Sequence, residues 1–344
     1  MAFNDISLNG KPLTIHRAIT QPLFKEKTVL VTDTWEYVDL WLKRARKNNA
    51  RFFWEQAQSF YEATQGLDAT AAPLTAYYCF LNATKALLIA KGVQASDAHG
   101  VTGHTVAGPS SLSNEKVKFK PGGVLAALCT HLGETSNDDV YTLRDVLYNL
   151  PYIHRAFDIT FSASAEIFMP ISSPQIVRST SNHQAWFIGE FREKYANQHS
   201  INKLPADFEQ EHGDPERFLF RFRPRFNWRP NDRSRSLERY RNYHRRLRKH
   251  LYYIYGPQRL WYLKRGGNVG GLIQRASLTL TFAAMHKLSE LSRYTPDKLA
   301  RHLDCQHNWL LSEFIQTAPS QFIDEISSEL TGREFMIPGR ASRK

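Results

Sequence analysis

From Phe53 the apolar positions fall at i, i+4, i+7 and i+8 (Phe53, Ala57, Phe60, Tyr61), with Gln56, Gln58 and Glu62 between them. That period predicts an amphipathic helix with one core-facing side. Residues 72–90 are apolar on nearly every side, carrying Leu74, Tyr77, Tyr78, Phe80, Leu81, Leu87, Leu88 and Ile89. At about 1.5 Å per residue this second helix spans roughly 28 Å, the width of a small domain. Asn82, Thr84 and Lys85 interrupt it, so it reads as the central helix of a bundle and not as a bilayer span. Lys91 and Gly92 close it with a cation at the dipole's negative end and a C′ glycine. Upstream, Asp33 and Glu36 form a capping box for a helix through Trp35, Val38, Leu42 and Ala45, which breaks near Asn48.

Further helices are expected at 124–131 and at 140–150, the latter stopped by Pro151. From 158 to 191 the pattern turns to short β-branched and alternating runs, including Ile159-Thr-Phe161 and Ala185-Trp-Phe-Ile188, which predict strands. The run RFLFRFRPRF from Arg217 alternates arginine with phenylalanine. One face would bury Phe218, Phe220 and Phe222 and the other present Arg217, Arg221 and Arg223, with Pro224 confining the strand to an edge or an end. Leu237, Tyr240, His244, Leu247, Leu251 and Ile254 then make a helical stripe, with Arg241, Arg245, Arg248 and Tyr252 on another face. GGNVGG at 266–271 lacks the GK[ST] ending of a phosphate loop and reads as a hinge. Helices return at 272–293, from Pro296, at 309–315 and at 322–330.

At 344 residues and 42% hydrophobic, with seven Trp, the chain can bury one large core or two modest ones and is not of the disordered class. The first residues hold no apolar leader core and no run of 18 apolar residues occurs, so a cytoplasmic protein without membrane contact is expected. Cys79, Cys129 and Cys305 are odd in number and far apart, which fits a reducing compartment. No CxxC or HExxH spacing occurs, so no metal and no cofactor are expected. Charge changes the picture most. Residues 216–250 hold thirteen Lys or Arg against three acids, a net +10 of the chain's +12. Concentration of that kind points to a localised anionic partner.

The segment PLTAYYCFLNATKALL from Pro73, followed by Lys91-Gly92 and His99-Gly100, resembles the YaaC-like family of bacterial proteins. LSELSRYTP from Leu288 is similar to that family's second block. The resemblance spans residues 35–330 and is weakest in the arginine-dense middle. The helix pair is also similar to the HEPN superfamily, many of whose members are ribonucleases of defence or toxin systems or partners of nucleotidyltransferases. Together these imply an α+β fold: a mainly α-helical, HEPN-like bundle with an inserted β-containing basic middle region. The bundle would take residues 33–157 and 236–335, and the basic region 158–235. Residues 1–32 would be an N-terminal extension and 336–344 a disordered tail. The family brings no catalytic set that can be carried over.

The candidate nucleic-acid surface is Arg221, Arg223, Arg225, Arg229, Arg233, Arg235, Arg241, Arg245, Arg248 and Lys249, with Trp228, Phe226, Tyr240 and Tyr243 as stacking faces. Guanidinium forks grip phosphate and aromatic rings stack on bases. Two blander readings compete: docking of an acidic protein surface, and internal pairing with the acids at 207–216. HEPN resemblance implies an Arg-x4–6-His catalytic pair, and Arg178/His183, Arg239/His244 and Arg245/His250 have that spacing; Arg245 with His250 is the preferred pair. In so arginine-rich a segment the spacing arises easily by chance, and His244 lies in an apolar stripe. His99 and His104 could form a small polar pocket, or simply bond backbone carbonyls of a turn. Arg293-Tyr294 reads as a helix-end device. The leading expectation is a protein that holds RNA or DNA, acting with a protein partner or as a homo-oligomer, in defence against phage or plasmid. The alternatives are a metal-independent ribonuclease and a non-catalytic interaction subunit.

Overall fold

A computed structural model describes residues 3–336 other than 9, 213 and 215. Of the tail expected at 336–344, Met336 belongs to the short strand Phe335–Met336 and the rest lies outside the described residues. The chain divides into two compact units. One takes Leu30–Ala165 and Gly271–Thr331 with Phe335 and Met336. The other takes the described parts of Met1–Val29, Glu166–Gly270 and Gly332–Glu334.

The first unit is largely helical, and its centre is the helix Ala72–Ala90. That helix is buried on nearly every side, as its sequence requires, and packs against Asn48–Thr64, Ser277–Tyr294 and Asn308–Thr331. Phe80 stacks on Phe322 with ring centroids 4.0 Å apart. The preceding helix Thr34–Arg44 starts where the capping box places it, with Asp33 accepting from the backbone N–H of Trp35 and Glu36. Trp54, fully buried, lies against Trp35 at 4.5 Å and donates its indole N–H to the Trp35 carbonyl. An antiparallel three-stranded sheet, Val101–Thr105, Glu115–Phe119 and Val140–Thr142, belongs to this unit. The two helices expected at 309–315 and 322–330 are one continuous helix that carries Pro319 inside it.

The second unit is built on an eight-stranded antiparallel sheet. Its main order is Phe208–Glu211, Phe218–Phe222, Gln184–Phe191, Phe168–Ser179, Leu260–Lys264, Leu251–Ile254. Phe3–Asp5 pairs with Phe168–Ser179, and Phe226–Asn227 with Gln184–Phe191. The helix Arg233–Leu247 seals one face, contributing Leu237, Tyr240, Tyr243 and Leu247 to a core with Phe187, Phe220, Phe222 and Phe226. Phe187 N–H donates to the Tyr243 hydroxyl at 2.6 Å, which fixes the helix against the central strands. A smaller cluster, Val177, Trp186, Ile188 and Leu219, covers the other face.

This sheet overturns the expected mainly helical bundle: of the described residues 44% are helical and 19% are in strands, mixed α and β. The physical reason is visible after Leu247. Residues 251–254, read as the end of a helical stripe, are Leu-Tyr-Tyr-Ile and pair antiparallel with Leu260–Lys264 around a turn containing Gly256 and Pro257. Aromatic and β-branched residues on both sides of a Gly-Pro turn favour a hairpin over a continued helix. The compact β unit therefore extends to Gly270, beyond the boundary expected at 235. Conversely, residues 159–161 end the helix His154–Thr160 and form no strand.

Candidate functional site

The arginines of the Phe218–Phe222 strand are engaged by carboxylates of their own unit. Arg217 forks onto Glu190, Nε to Oε1 at 3.0 Å and Nη2 to Oε2 at 2.9 Å. Arg221 reaches Glu209 at 2.7 Å and Glu211 at 3.0 Å. Arg223 lies 3.6 Å from Glu209 and donates to the Phe208 carbonyl. The register explains it: Glu209 sits directly opposite Arg221 on the neighbouring antiparallel strand, where opposite charges attract. Arg225 donates to the Gln184 side chain and lies over the Trp186 ring.

The helix behaves differently. At about 100° per residue, Leu237, Tyr240, Tyr243, His244, Leu247 and Arg248 share the buried arc. Arg235, Arg241, Arg245, Arg246 and Lys249 are exposed on the opposite arc with Glu238, and Arg229 and Arg233 are exposed at its start. Arg235 lies 3.9 Å from Asp232. Arg248 is buried: it donates to the carbonyls of Leu251 and Arg17 and lies 4.9 Å from the Trp261 ring centroid. Phe226, Trp228, Tyr240 and Tyr243 are all core residues. The rings are thus separated from the cations.

The Arg-x4–6-His spacings do not become equivalent sites. His244 is fully buried and accepts from the His16 backbone N–H at 3.1 Å. Burial pushes its pKa well down, with Arg248 and His16 adding to the effect. His250 is half-buried, pairs with Asp207 at 3.1 Å and packs edge-on against Phe208. Its pKa is lowered by burial, which outweighs the pull of Asp207. Arg245 is exposed at the helix end. Arg178 lies on the Phe168–Ser179 strand and His183 in the turn that follows.

In the helical unit His99 lies in the loop before the strand that carries His104. His104 is exposed on Val101–Thr105, whereas His99 turns inward. Two close approaches hold the His99 loop. Val124 and Leu125 N–H donate to the Ala98 and His99 carbonyls at 2.8 and 3.1 Å. Gly100 and Gly123 both have positive φ, and a Cβ on Gly123 would meet the Gly100 nitrogen at 2.5 Å, so the two backbones can touch only as glycines. His99 Nδ1 is bonded to the Tyr77 hydroxyl. Its ring lies 5.8 Å from that of His286, edge to face, and Tyr77 lies 4.9 Å from His286.

His286, Glu290 and Arg293 follow at i, i+4 and i+7 on one side of Ser277–Tyr294, a spacing that could have drawn attention in the sequence but was masked by an apolar helix pattern. His286 Nδ1 is buried without a hydrogen-bond partner, 3.9 Å from Glu290 Oε1. Burial, with His99, Arg293 and Lys287, takes the His286 pKa down to about 3. Burial likewise lowers His99, aided by Arg293 and Lys85. The Glu290 carboxyl is raised by burial, against the pull of the Gly103 N–H, Lys287 and Arg293.

A second network adjoins it. Glu115, 2% exposed, accepts from Thr105 at 2.6 Å and Lys287 at 2.9 Å, and meets His302 at 3.1 Å, with His307 2.9 Å beyond. Burial alone would raise the Glu115 carboxyl, yet hydrogen bonds from His302, Thr105 and Lys287 bring it to about 2. A cavity of about 430 Å³, lined by Thr105, Ser110, Lys298 and Arg301 among others, opens onto Glu115 and His302. Every Glu115 oxygen and both His302 nitrogens are satisfied, which marks this network as a structural one.

Among the described residues no helix is long and apolar enough to cross a membrane, and no group of three or more His, Cys, Asp or Glu could hold a metal ion. No curated protein and no solved structure matches the chain, and a HEPN-like core is not shown. The family described as YaaC-like protein matches residues 17–330, nearly the whole chain. It covers both sequence blocks that carry the resemblance, at Pro73 and at Leu288, and the basic middle as well. This chain belongs to the YaaC-like family.

Proposed function

We propose that the protein binds nucleic acid through the exposed arc of the Arg233–Leu247 helix and its flanks. The observation that carries this reading is the arc itself: Arg235, Arg241, Arg245, Arg246 and Lys249 are exposed together, with Glu238 the one acid among them. Cations spaced along a helix surface track a phosphate backbone, and each neutralised phosphate releases counterions. Because Trp228, Tyr240 and Tyr243 are buried, base stacking plays no part, and recognition is of charge and spacing with little sequence preference. Sequence-tolerant binding of this kind would suit a component of a system acting on foreign RNA or DNA.

Fluorescence anisotropy with mixed-sequence RNA and DNA, across a salt series, tests it. If the arc engages four or five phosphates of duplex DNA, log K should fall against log salt with a slope of about −4. Absence of binding to either polymer at low salt would remove the proposal. A nuclease-resistant complex with an acidic protein would replace it with a docking role.

A further inference from the structure

The two blocks of sequence that carry the family resemblance meet in the helical unit. Tyr77, Tyr78 and Lys85 come from Ala72–Ala90, and His286, Glu290 and Arg293 from Ser277–Tyr294, with His99 held between them. We propose that this cluster is a binding site for a phosphate group, in which Arg293 and Lys85 take the charge and His99 and His286 donate or accept hydrogen bonds. The inference is independent of the basic helix of the other unit.

Four observations converge on it. First, His286 is 5% exposed and its Nδ1 has no partner. A buried polar atom without a hydrogen bond is costly, and the nearest acceptor, Glu290 Oε1, lies 3.9 Å away, beyond hydrogen-bond reach. Second, the Tyr77 hydroxyl occupies His99 Nδ1, leaving Nε2 without a partner among the described residues. Third, the cations lack firm counter-charges. Arg293 is exposed, donates to the Tyr78 hydroxyl at 3.4 Å and lies over the Tyr294 ring, with no ion pair among the described residues. Lys85 meets Asp97 at 3.7 Å, and that aspartate is fully exposed. Fourth, Gly103 leaves room for the arrangement. A Cβ there would lie 2.3 Å from Glu290 and 2.6 Å from Lys287, so glycine lets the Gly103 N–H reach the Glu290 carboxylate at 3.3 Å.

Lys85 and Arg293 act on His99, and Lys287, Glu290 and Arg293 on His286. Lys287 is committed to Glu115 at 2.9 Å. Two cations beside two neutral imidazoles therefore await an anion with several acceptor oxygens. A guanidinium fork and imidazole N–H groups fit the tetrahedral phosphate oxygens, and a dianion would pull a proton onto His99.

Histidine ring resonances of the full chain, followed during additions of inorganic phosphate, test the site. The His99 and His286 rings should shift in a saturable manner, and the His99 pKa should rise when phosphate is bound. Arg293→Ala, at an exposed position, should weaken phosphate by about tenfold or more while the unliganded ring spectrum stays native. His286→Ala should remove the response; if that variant does not fold, Arg293→Ala and Lys85→Ala carry the test. Tighter binding of a mononucleotide, or of a short oligonucleotide, than of inorganic phosphate identifies the source of the phosphate, and either result supports the site. Rings that do not respond to millimolar phosphate overturn it, as does acetate binding as tightly as phosphate.

Discussion

Arg217, Arg221 and Arg223, on and beside the Phe218–Phe222 strand, each face a carboxylate across the sheet, whereas Arg241, Arg245, Arg246 and Lys249, on the helix that seals the same sheet, share their arc with Glu238 alone. Both stretches are equally rich in arginine. The difference lies in geometry: an antiparallel neighbour supplies an opposing residue at every position, and here the neighbour is Phe-Glu-Gln-Glu. A helix lying on a sheet has no neighbour on its outer side. Positive charge on the strand is therefore part of the fold, and positive charge on the helix is exposed, as the proposed binding role requires.

The largest effect should come from breaking the strand half. Glu211 is 6% exposed and shares Arg221 with Glu209. Glu211→Ala leaves that guanidinium half-compensated in a mostly buried place and should cost about 2–4 kcal/mol of stability, read by urea unfolding. Nucleic-acid affinity of the folded protein should not change. A large loss of affinity at unchanged stability would mean that the strand arginines, too, face outward ligands.

The helix half should respond in the opposite way. Arg241→Ala/Arg245→Ala/Lys249→Ala should weaken nucleic-acid binding by about 10- to 100-fold at low salt and reduce the salt slope by about 2–3. Stability should move by no more than about 0.5 kcal/mol, since these are surface positions. Unchanged affinity in this variant, beside binding by the native chain, would relocate the interface.

The contrast was only half legible in the sequence. Alternation of Arg and Phe at 217–222 reveals which face of the strand is polar, but not that Glu209 stands across from Arg221, because register depends on a turn and on the partner strand. The helix stripe from Leu237 to Leu247 was readable, since 3.6-residue periodicity is local. Its end was not: Leu251 and Ile254 continue the period by coincidence, and the hairpin with Leu260–Lys264 forms only in the sheet. Stacking aromatics were misplaced for a related reason. Trp228 and Tyr243 sit beside arginines in sequence, yet the sheet's core takes them. In the helical unit His99 stands out in a Gly-rich loop and His286 does not, because its neighbours Ala283, Ala284, Met285 and Leu288 make the helix read as pure core.

Acid sharpens the comparison by a smaller amount. Hydrogen bonds from Arg217 hold the Glu190 carboxyl below its ordinary value, with Arg192 adding to them, against burial, which raises it. A carboxylate whose folded pKa is depressed adds stability above its unfolded pKa, about 4.3, and loses it as pH falls through the lower folded value. Both guanidinium groups are well exposed, so the contribution is about 1 kcal/mol. Glu190→Gln should flatten the fall in stability below the ordinary carboxylate range, whereas Arg241→Ala should leave it unchanged. Identical acid profiles for Glu190→Gln and the native chain would show that the pair is solvent-screened to nothing.

The smallest change tests the logic from the side of repulsion. Glu238 is the acid in the middle of the exposed arc, near Arg241 and Arg245 by helical position. If the arc meets phosphates, the Glu238 carboxylate repels them and partly neutralises its neighbours. Glu238→Gln removes one negative charge without shortening the side chain and should tighten binding by about two- to threefold at low salt, an advantage that fades as salt rises. If the partner were instead an acidic protein held by specific pairs, loss of Glu238 would free a lysine or arginine of its own surface and alter geometry more than field. The gain would then persist at high salt. A salt-independent gain in anisotropy titrations would argue against a phosphate backbone as the ligand of this helix, even with every other cation in place.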